Sequence, residues 1–227
     1  MAKNNRFITT FAFVALALVF FVLSFASSYN LLDAAINQDV NLSNNVKITA
    51  VAPPGTLSLK VNSDTFTVPT VGNVNSSAIG ARAYDWSISV DGGITWTRYQ
   101  GTGSIAGIPL ENITGDIWIK EYDGEHTNGW LSAFGFNRPE DNAGASGVQA
   151  NRNKLTVVEF RDEEGNNSFI PNGTTNAQYY LYNTFYSCTN LTDISHFEIP
   201  ALPSTVTNAS NYLSNIFNKS GLTSLEG

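Results

Sequence analysis

The chain of 227 residues has one cysteine, two histidines and only 14% charged residues. The lone Cys188 excludes an intramolecular disulfide framework and a CxxC metal site. A free cysteine is most often a small buried hydrophobe; a reactive thiol or an intermolecular disulfide is the alternative. His126 and His196 have neither a second histidine nor a cysteine at ligand spacing, so a zinc centre lacks a ligand set. No G-x-S-x-G elbow frames a Ser-His-Asp triad, and there is no glycine-rich loop of the phosphate- or dinucleotide-binding kind. The expectation is a protein without enzymatic activity and without a cofactor. Basic residues are also few: 12 Lys and Arg stand against 19 Asp and Glu, a net charge of −7. Residues 1–26 hold Lys3, Arg6 and no acid, so without them 10 basic residues face 19 acidic ones, a charge of −9. Such a surface repels phosphate backbones and anionic membranes, which excludes nucleic acid as a partner.

In place of charge the chain uses amides and hydroxyls, with 26 Asn, a composition common among exported β-proteins. The N-terminus fits export. Met1 to Arg6 is basic, Phe7 to Phe25 is apolar apart from Thr9, Thr10 and Ser24, and Ser24-Phe25-Ala26 offers small residues for cleavage between Ala26 and Ser27. The apolar run is also long enough to span a bilayer if retained, which takes about 18 residues. Either outcome places everything after residue 30 outside the cytoplasm. Residues 27–55 read as a linker, interrupted by Pro53-Pro54-Gly55.

From Thr56 the apolar period becomes two. Leu57, Leu59 and Val61 alternate with Ser58, Lys60 and Asn62; Phe66 and Val68 follow a Ser-Asp turn; Trp86, Ile88 and Val90 alternate with Ser87 and Ser89. Asp91-Gly92-Gly93 predicts a hairpin turn into a second strand carrying Ile94 and Trp96. Ile105, Ile108 and Ile117-Trp118-Ile119 supply later strands. Short strands at this spacing, with no helical pattern between them, predict a small β-sandwich over 56–122.

Beyond residue 123 the sequence repeats itself. Tyr180-Leu181-x-Asn183-x-Phe185 recurs as Tyr212-Leu213-x-Asn215-x-Phe217, 32 residues on. After each copy comes Leu-Thr-x-aliphatic, at Leu191 to Ile194 and Leu222 to Leu225, and an earlier Leu-Thr-x-aliphatic spans Leu155 to Val158. Repeats of this length signal stacked units, none able to bury its own apolar face. The expected shared core is Leu155, Val158, Tyr180, Leu181, Phe185, Cys188, Leu191, Ile194, Tyr212, Leu213, Phe217, Leu222 and Leu225. The tetrads are expected as short parallel strands, with the aromatic half a returning segment, helical or otherwise. Coincidence in a Leu/Asn/Thr-rich β-domain is the competing explanation.

The run Asn183-x-Phe185-Tyr186-Ser187-Cys188-Thr189-Asn190-Leu191-Thr192-x-Ile194 resembles the repeat of BspA-type leucine-rich surface proteins, with its F-x-x-C-x-x-L-T-x-I/L core. Asn215 to Leu225 resembles the next repeat, with Ser220 near the cysteine position and one residue fewer; Trp130 to Asn137 and Asn153-Lys154-Leu155-Thr156 look like the entry to the array. Tyr84-Asp85-Trp86-Ser87-Ile88, Asp91-Gly92-Gly93-x-Thr95, Gly101-Thr102 and Gly107-Ile108-Pro109 resemble the PKD-like or immunoglobulin-like module that often precedes such repeats. Val90-Asp91-Gly92-Gly93 replaces its usual W-x-G-D-G-T, and Leu110 to Ile113 replaces its H-x-Y. The resemblance implies a mainly β chain: an immunoglobulin-like sandwich over 56–122, then the start of a leucine-rich-repeat solenoid over 123–227. It further implies an exported cell-surface adhesion protein, whose partner is an extracellular protein or glycan and whose membrane contact is the N-terminal segment or a C-terminal anchor. The array stops after Leu222-Thr223-Ser224-Leu225 without a polar capping unit, so further repeats are expected beyond Gly227.

Some residues keep two readings open. Asp116, Glu121, Asp123 and Glu125, and the turn Asp162-Glu163-Glu164-Gly165, are solvated turns, or else calcium ligands or a carboxylate pair for glycoside chemistry. Trp86, Trp96, Trp118 and Trp130 are core residues or a sugar-stacking surface, and Tyr179, Tyr180, Tyr182 and Tyr186 divide between core and contact. Eight Asn-x-Ser/Thr triplets matter only where the source glycosylates its exports. Two alternative functions remain: a carbohydrate-binding module of a larger exported protein, and a structural surface-layer or filament subunit.

Overall fold

In the computed structural model the described residues are 51–71, 81–104, 106–125, 127–136, 151–163, 167–199 and 201–223. The chain divides into two compact units, Met1–Pro53 and Pro54–Gly227. The first lies almost wholly outside the described residues, as do the cleavage position Ala26–Ser27 and the apolar run before it. The second is mainly β, built from antiparallel sheets.

Among the described residues seven strands are formed: β1 (Leu57–Val61), β2 (Phe66–Val68), β3 (Ala83–Ser89), β4 (Thr97–Thr102), β5 (Ile108–Leu110), β6 (Ile117–Glu121) and β7 (Leu155–Glu159). Five make one sheet in the order β4-β3-β6-β1-β7; β2 and β5 pair separately. The period of two decides which face is apolar. Ile88 lies opposite Ile119, which lies opposite Leu57; Ile117 lies opposite Leu59, which lies opposite Val158. All six are buried, in one cluster with Phe66, Val68, Ile108 and Leu110 of the small sheet.

The sheet takes its fifth strand from residues whose sequence pattern belongs to the repeats. β7 pairs with β1 antiparallel, with a shift after Lys60 where Thr156 is the extra residue; its hydroxyl donates to the Lys60 carbonyl (3.0 Å). Along its other side β7 meets the chain around residue 193 in parallel, with bridges Val157–Asp193 and Phe160–Phe197. Thr192 N–H donates to Thr156 O, and Val158 N–H to Asp193 O. A further parallel bridge joins Asn176 to Asn208. Side-chain bonds join residues 31 to 37 apart, among them Thr205 to Thr174, Thr189 to Asn153 and Asn190 to Asn153. The tetrad at Leu191 contributes a single bridge rather than a strand.

The segment returning from each tetrad is not helical. Amides of residues 180, 184, 186 and 188 bond the carbonyl three residues back, and those of 212, 214, 216, 218 and 220 do the same. Asn183, Ser187, Asn211, Asn215 and Lys219 hold φ between 57° and 63°, which breaks any α-helix. Asparagine is the non-glycine residue best suited to that conformation, so its abundance has a local use. The intervening amides point sideways: those of Asn183, Phe185 and Ser187 donate to Ser214, Ile216 and Asn218. This register aligns Phe185 with Phe217, whose rings stack at 5.5 Å and 4°.

The predicted hairpin forms with a longer loop than Asp91-Gly92-Gly93 suggests. β4 begins at Thr97, Trp86 lies opposite Tyr99 rather than Trp96, and Ile94 is 82% exposed. The Asp91 carboxylate closes the loop, accepting from Ser89 Oγ, the amides of Ile94 and Thr95, and Thr95 Oγ1. Gly93, at φ 90°, lies flat on Trp118; a Cβ there would fall 2.5 Å from the ring.

Candidate binding surface

Of the repeat residues expected in the core, Leu155, Val158, Leu181, Phe185, Cys188, Leu191 and Tyr212 are buried. Tyr180, Ile194, Phe217 and Leu222 are half-buried, the first three packed against the core. Leu225 lies outside the described residues. Leu213 is a correction: it is 41% exposed, because Tyr212 before it and Ile216 after it take the inward positions. A chain of aromatic rings links these residues, with Phe185 meeting Phe134 (6.0 Å), Phe197 (5.3 Å) and Phe217.

The chemistry-bearing side chains mostly hold structure. Glu121 accepts from the amide and hydroxyl of Thr127. Asp162 accepts from the amide and hydroxyl of Ser168, whose oxygen in turn accepts from Trp130 Nε1 at 2.8 Å. Trp86 Nε1 donates to the Trp130 carbonyl at 2.8 Å, tying the sheet to the segment after it. Asp123 caps the Glu125 amide, and Asp193 caps Ser195, whose bonds hold the Asp193 carboxyl below its ordinary pKa. Cys188 is fully buried and burial pushes its thiol up to about 12, against a smaller opposite pull from Arg152, so it is inert rather than nucleophilic. His196 is exposed, and His126, Glu164, Gly165 and Ile105 lie outside the described residues. Among the described residues no group of three His, Cys, Asp or Glu is placed to hold a metal ion, and no helix is long and apolar enough to cross a membrane.

What remains open to a partner is surface. One candidate is the outer face of the large sheet, where β4, β3 and β6 lie side by side. In register there stand Gln100 and Asp85, with Tyr122 next to them, then Arg98 and Lys120 on either side of buried Ser87. Ser89 and Trp118 beyond them are buried, so the open part of the face is the first five. The Arg98 guanidinium grips Asp85 through two bonds (2.8 and 2.7 Å) and lies 3.8 Å over the Tyr122 ring. These bonds lower the Asp85 pKa and raise that of Arg98. Lys120 stands 4.2 Å over Trp96. Trp86, Trp118 and Trp130 are buried, leaving Trp96 half-exposed. On the opposite side of the same strands a cleft of about 460 Å³ opens between β4 and β5, floored by Ile88, Val90 and Leu110 and rimmed by Thr97, Tyr99 and Glu111.

The other candidate is the strip where β7 meets the chain beside it. Thr192, Asp193, Ser195 and His196 are exposed there, next to half-buried Val157 and Glu159.

The chain matches no family model, no curated protein and no solved structure. Sequence reasoning missed the pairing of cations with aromatics across strands, because Arg98–Tyr122 and Lys120–Trp96 meet only once the strands are in register. It also missed Arg82, which lies 3.9 Å over the Tyr180 ring and whose pKa burial lowers.

Proposed function

We propose that this chain is an exported, cell-surface binding protein that works by non-covalent recognition. In this reading an immunoglobulin-like sandwich is followed by leucine-rich repeats, and the strip around Val157, Asp193 and Ser195 offers an extended face to an extracellular protein. The observation that carries it is the parallel backbone pairing of successive copies of the sequence repeat, above all Val157–Asp193 and Asn176–Asn208. Units that bond side by side and share an apolar interior suit extended recognition surfaces. The engagement of Glu121, Asp162 and Asp193 in local bonds supports recognition over catalysis.

A second reading has its own support. The flat outer sheet face, with Trp96 and Tyr122 beside Gln100, Asp85 and two cations, has the mixture of rings and planar polar groups that suits a glycan. One experiment separates the two. The intact chain, displayed on beads, is tested against extracellular matrix proteins and a glycan panel, alongside surface labelling of intact producing cells. Loss of protein binding in Thr192→Arg and Ser195→Arg supports the first reading; loss of glycan binding in Trp96→Ala and Tyr122→Ala supports the second. Failure of surface labelling to reach the chain on intact cells refutes both.

A further inference from the structure

We propose that Asn172 is a site of spontaneous, structure-gated deamidation, which converts one turn of the repeat region to aspartate and isoaspartate. The chain contains two Asn-Gly pairs, Asn128-Gly129 and Asn172-Gly173. Both occupy the same kind of turn. Trp130 N–H bonds Thr127 O (3.3 Å) and Thr174 N–H bonds Pro171 O (3.2 Å), with φ of 84° at Gly129 and 76° at Gly173. The glycine lets the amide approach the preceding side chain without a Cβ in the way.

The surroundings differ. The Gly129 amide donates to Asn167 O at 2.8 Å, the Asn128 Oδ1 accepts from the Asn167 amide at 2.7 Å, and Gly129 is packed against Pro171. Both reacting groups of that pair are tied to one residue. Asn172 and Gly173 are exposed, a Cβ at Gly173 would meet nothing within 4 Å, and among the described residues no group accepts from the Gly173 amide or binds the Asn172 side chain.

The reaction needs only water and hydroxide. The Gly173 amide gives its proton to hydroxide, and its nitrogen forms a bond to Asn172 Cγ. The bond from Cγ to the side-chain nitrogen breaks, that nitrogen takes a proton from water and leaves as ammonia, hydroxide is regenerated, and a five-membered imide remains. Water then opens the imide at one carbonyl to give aspartate, or at the other to give isoaspartate, whose main chain runs through the former side chain. Each event adds one negative charge to a chain already at −7. The isoaspartate lengthens the main chain next to the Thr174 and Thr175 carbonyls, which accept from Thr205 Oγ1 and from the amides of Thr207 and Asn208. The modification therefore loosens the hold of one repeat on the next.

The test incubates the full chain at mildly alkaline pH, folded and in urea, and follows both peptides by mass. The chain is made in a host that attaches no N-glycans, since Asn172-Gly173-Thr174 is also an acceptor triplet. In the folded protein the Asn172 peptide gains about one mass unit and splits into two products at least about tenfold faster than the Asn128 peptide, because Asn128 must first open locally. In urea the two react at similar rates. Hydrogen exchange at residues 205–208 accelerates in the isoaspartate form. Equal rates in the folded chain, or an Asn172 that survives folded while both sites react in urea, overturns the proposal.

Discussion

Replacing Phe185 by alanine tests whether the repeated segments share one interior. The side chain is fully buried and its ring meets those of Phe134, Phe197 and Phe217, which come from three other stretches of chain. Removing a buried phenylalanine costs about 3–5 kcal/mol, from lost transfer energy and the cavity left behind. That is a large part of the roughly 5–15 kcal/mol that holds a domain folded. With a urea slope of about 1–3 kcal/mol per molar, the midpoint falls by at least about 1 M. Urea titration followed by tryptophan fluorescence reads it directly, since Trp86 and Trp130 are buried in the same cluster. Leu213→Ala is the control: at 41% exposure it is expected to cost about 0.5 kcal/mol or less, although its sequence position matches buried Leu181. A cycle of Phe185→Leu with Phe217→Leu should show about 0.5–1.5 kcal/mol of coupling from the stacked pair. If Phe185→Ala costs no more than Leu213→Ala, or if the coupling is zero, the alignment of these repeats is wrong.

Three other perturbations have defined outcomes. The Asp91 carboxyl is drawn from an ordinary 3.8 down to about 2 by Ser89 and Thr95; a depressed acid stabilises above its unfolded value, so that contribution is intact above pH 4 and fades as pH falls to 2. Asp91→Asn should narrow its stability gap to the native chain across this interval, measured by thermal melts at stepped pH; a gap independent of pH refutes it. Gly93→Ala forces a Cβ against the Trp118 ring at a backbone φ of 90° and should cost about 1–3 kcal/mol, read by the same melts. Cys188 should resist a thiol reagent at neutral pH while the chain is folded and react fully in denaturant; rapid folded-state labelling would show that the site opens.

The sheet is legible in the sequence wherever apolar residues alternate. Leu57, Leu59, Trp86, Ile88, Ile117 and Ile119 all lie where a period of two places them, because that face carries the apolar core and a slip by one residue would turn Ser58, Ser87 and Ser89 into it instead. The start of β4 is not legible, because Ile94 and Trp96 continue the apolar pattern while Asp91 holds the Ile94 and Thr95 amides, and the Gly93 carbonyl holds Trp96 Nε1, in the loop. Leu155, Val158, Leu181, Phe185, Cys188, Leu191 and Tyr212 lie buried where the spacing puts them, while Leu213 is exposed, Leu222 is half-buried, and Ile216, Phe160 and Phe169 join the core without a signal in the spacing. The path of the backbone is not readable, since a run of turns with alternating inward residues imitates the period of other structures. The double role of β7 leaves no local signature. A strand's sequence records which face is apolar, not which edges find neighbours. The candidate surfaces are least readable, because cross-strand pairs such as Arg98 with Tyr122 depend on register.

The antiparallel pairing of β1 with β7 bears on how the molecule yields when pulled. Leu57 enters the pair beside the point where the chain leaves it at Phe160, and Gly55 still bonds Arg161 beyond. Tension between those two points loads the rungs one after another from that end, as a zip opens, instead of shearing them all at once. For a load applied at those two points the seam therefore yields rung by rung, at a lower force than a sheared pair of the same length.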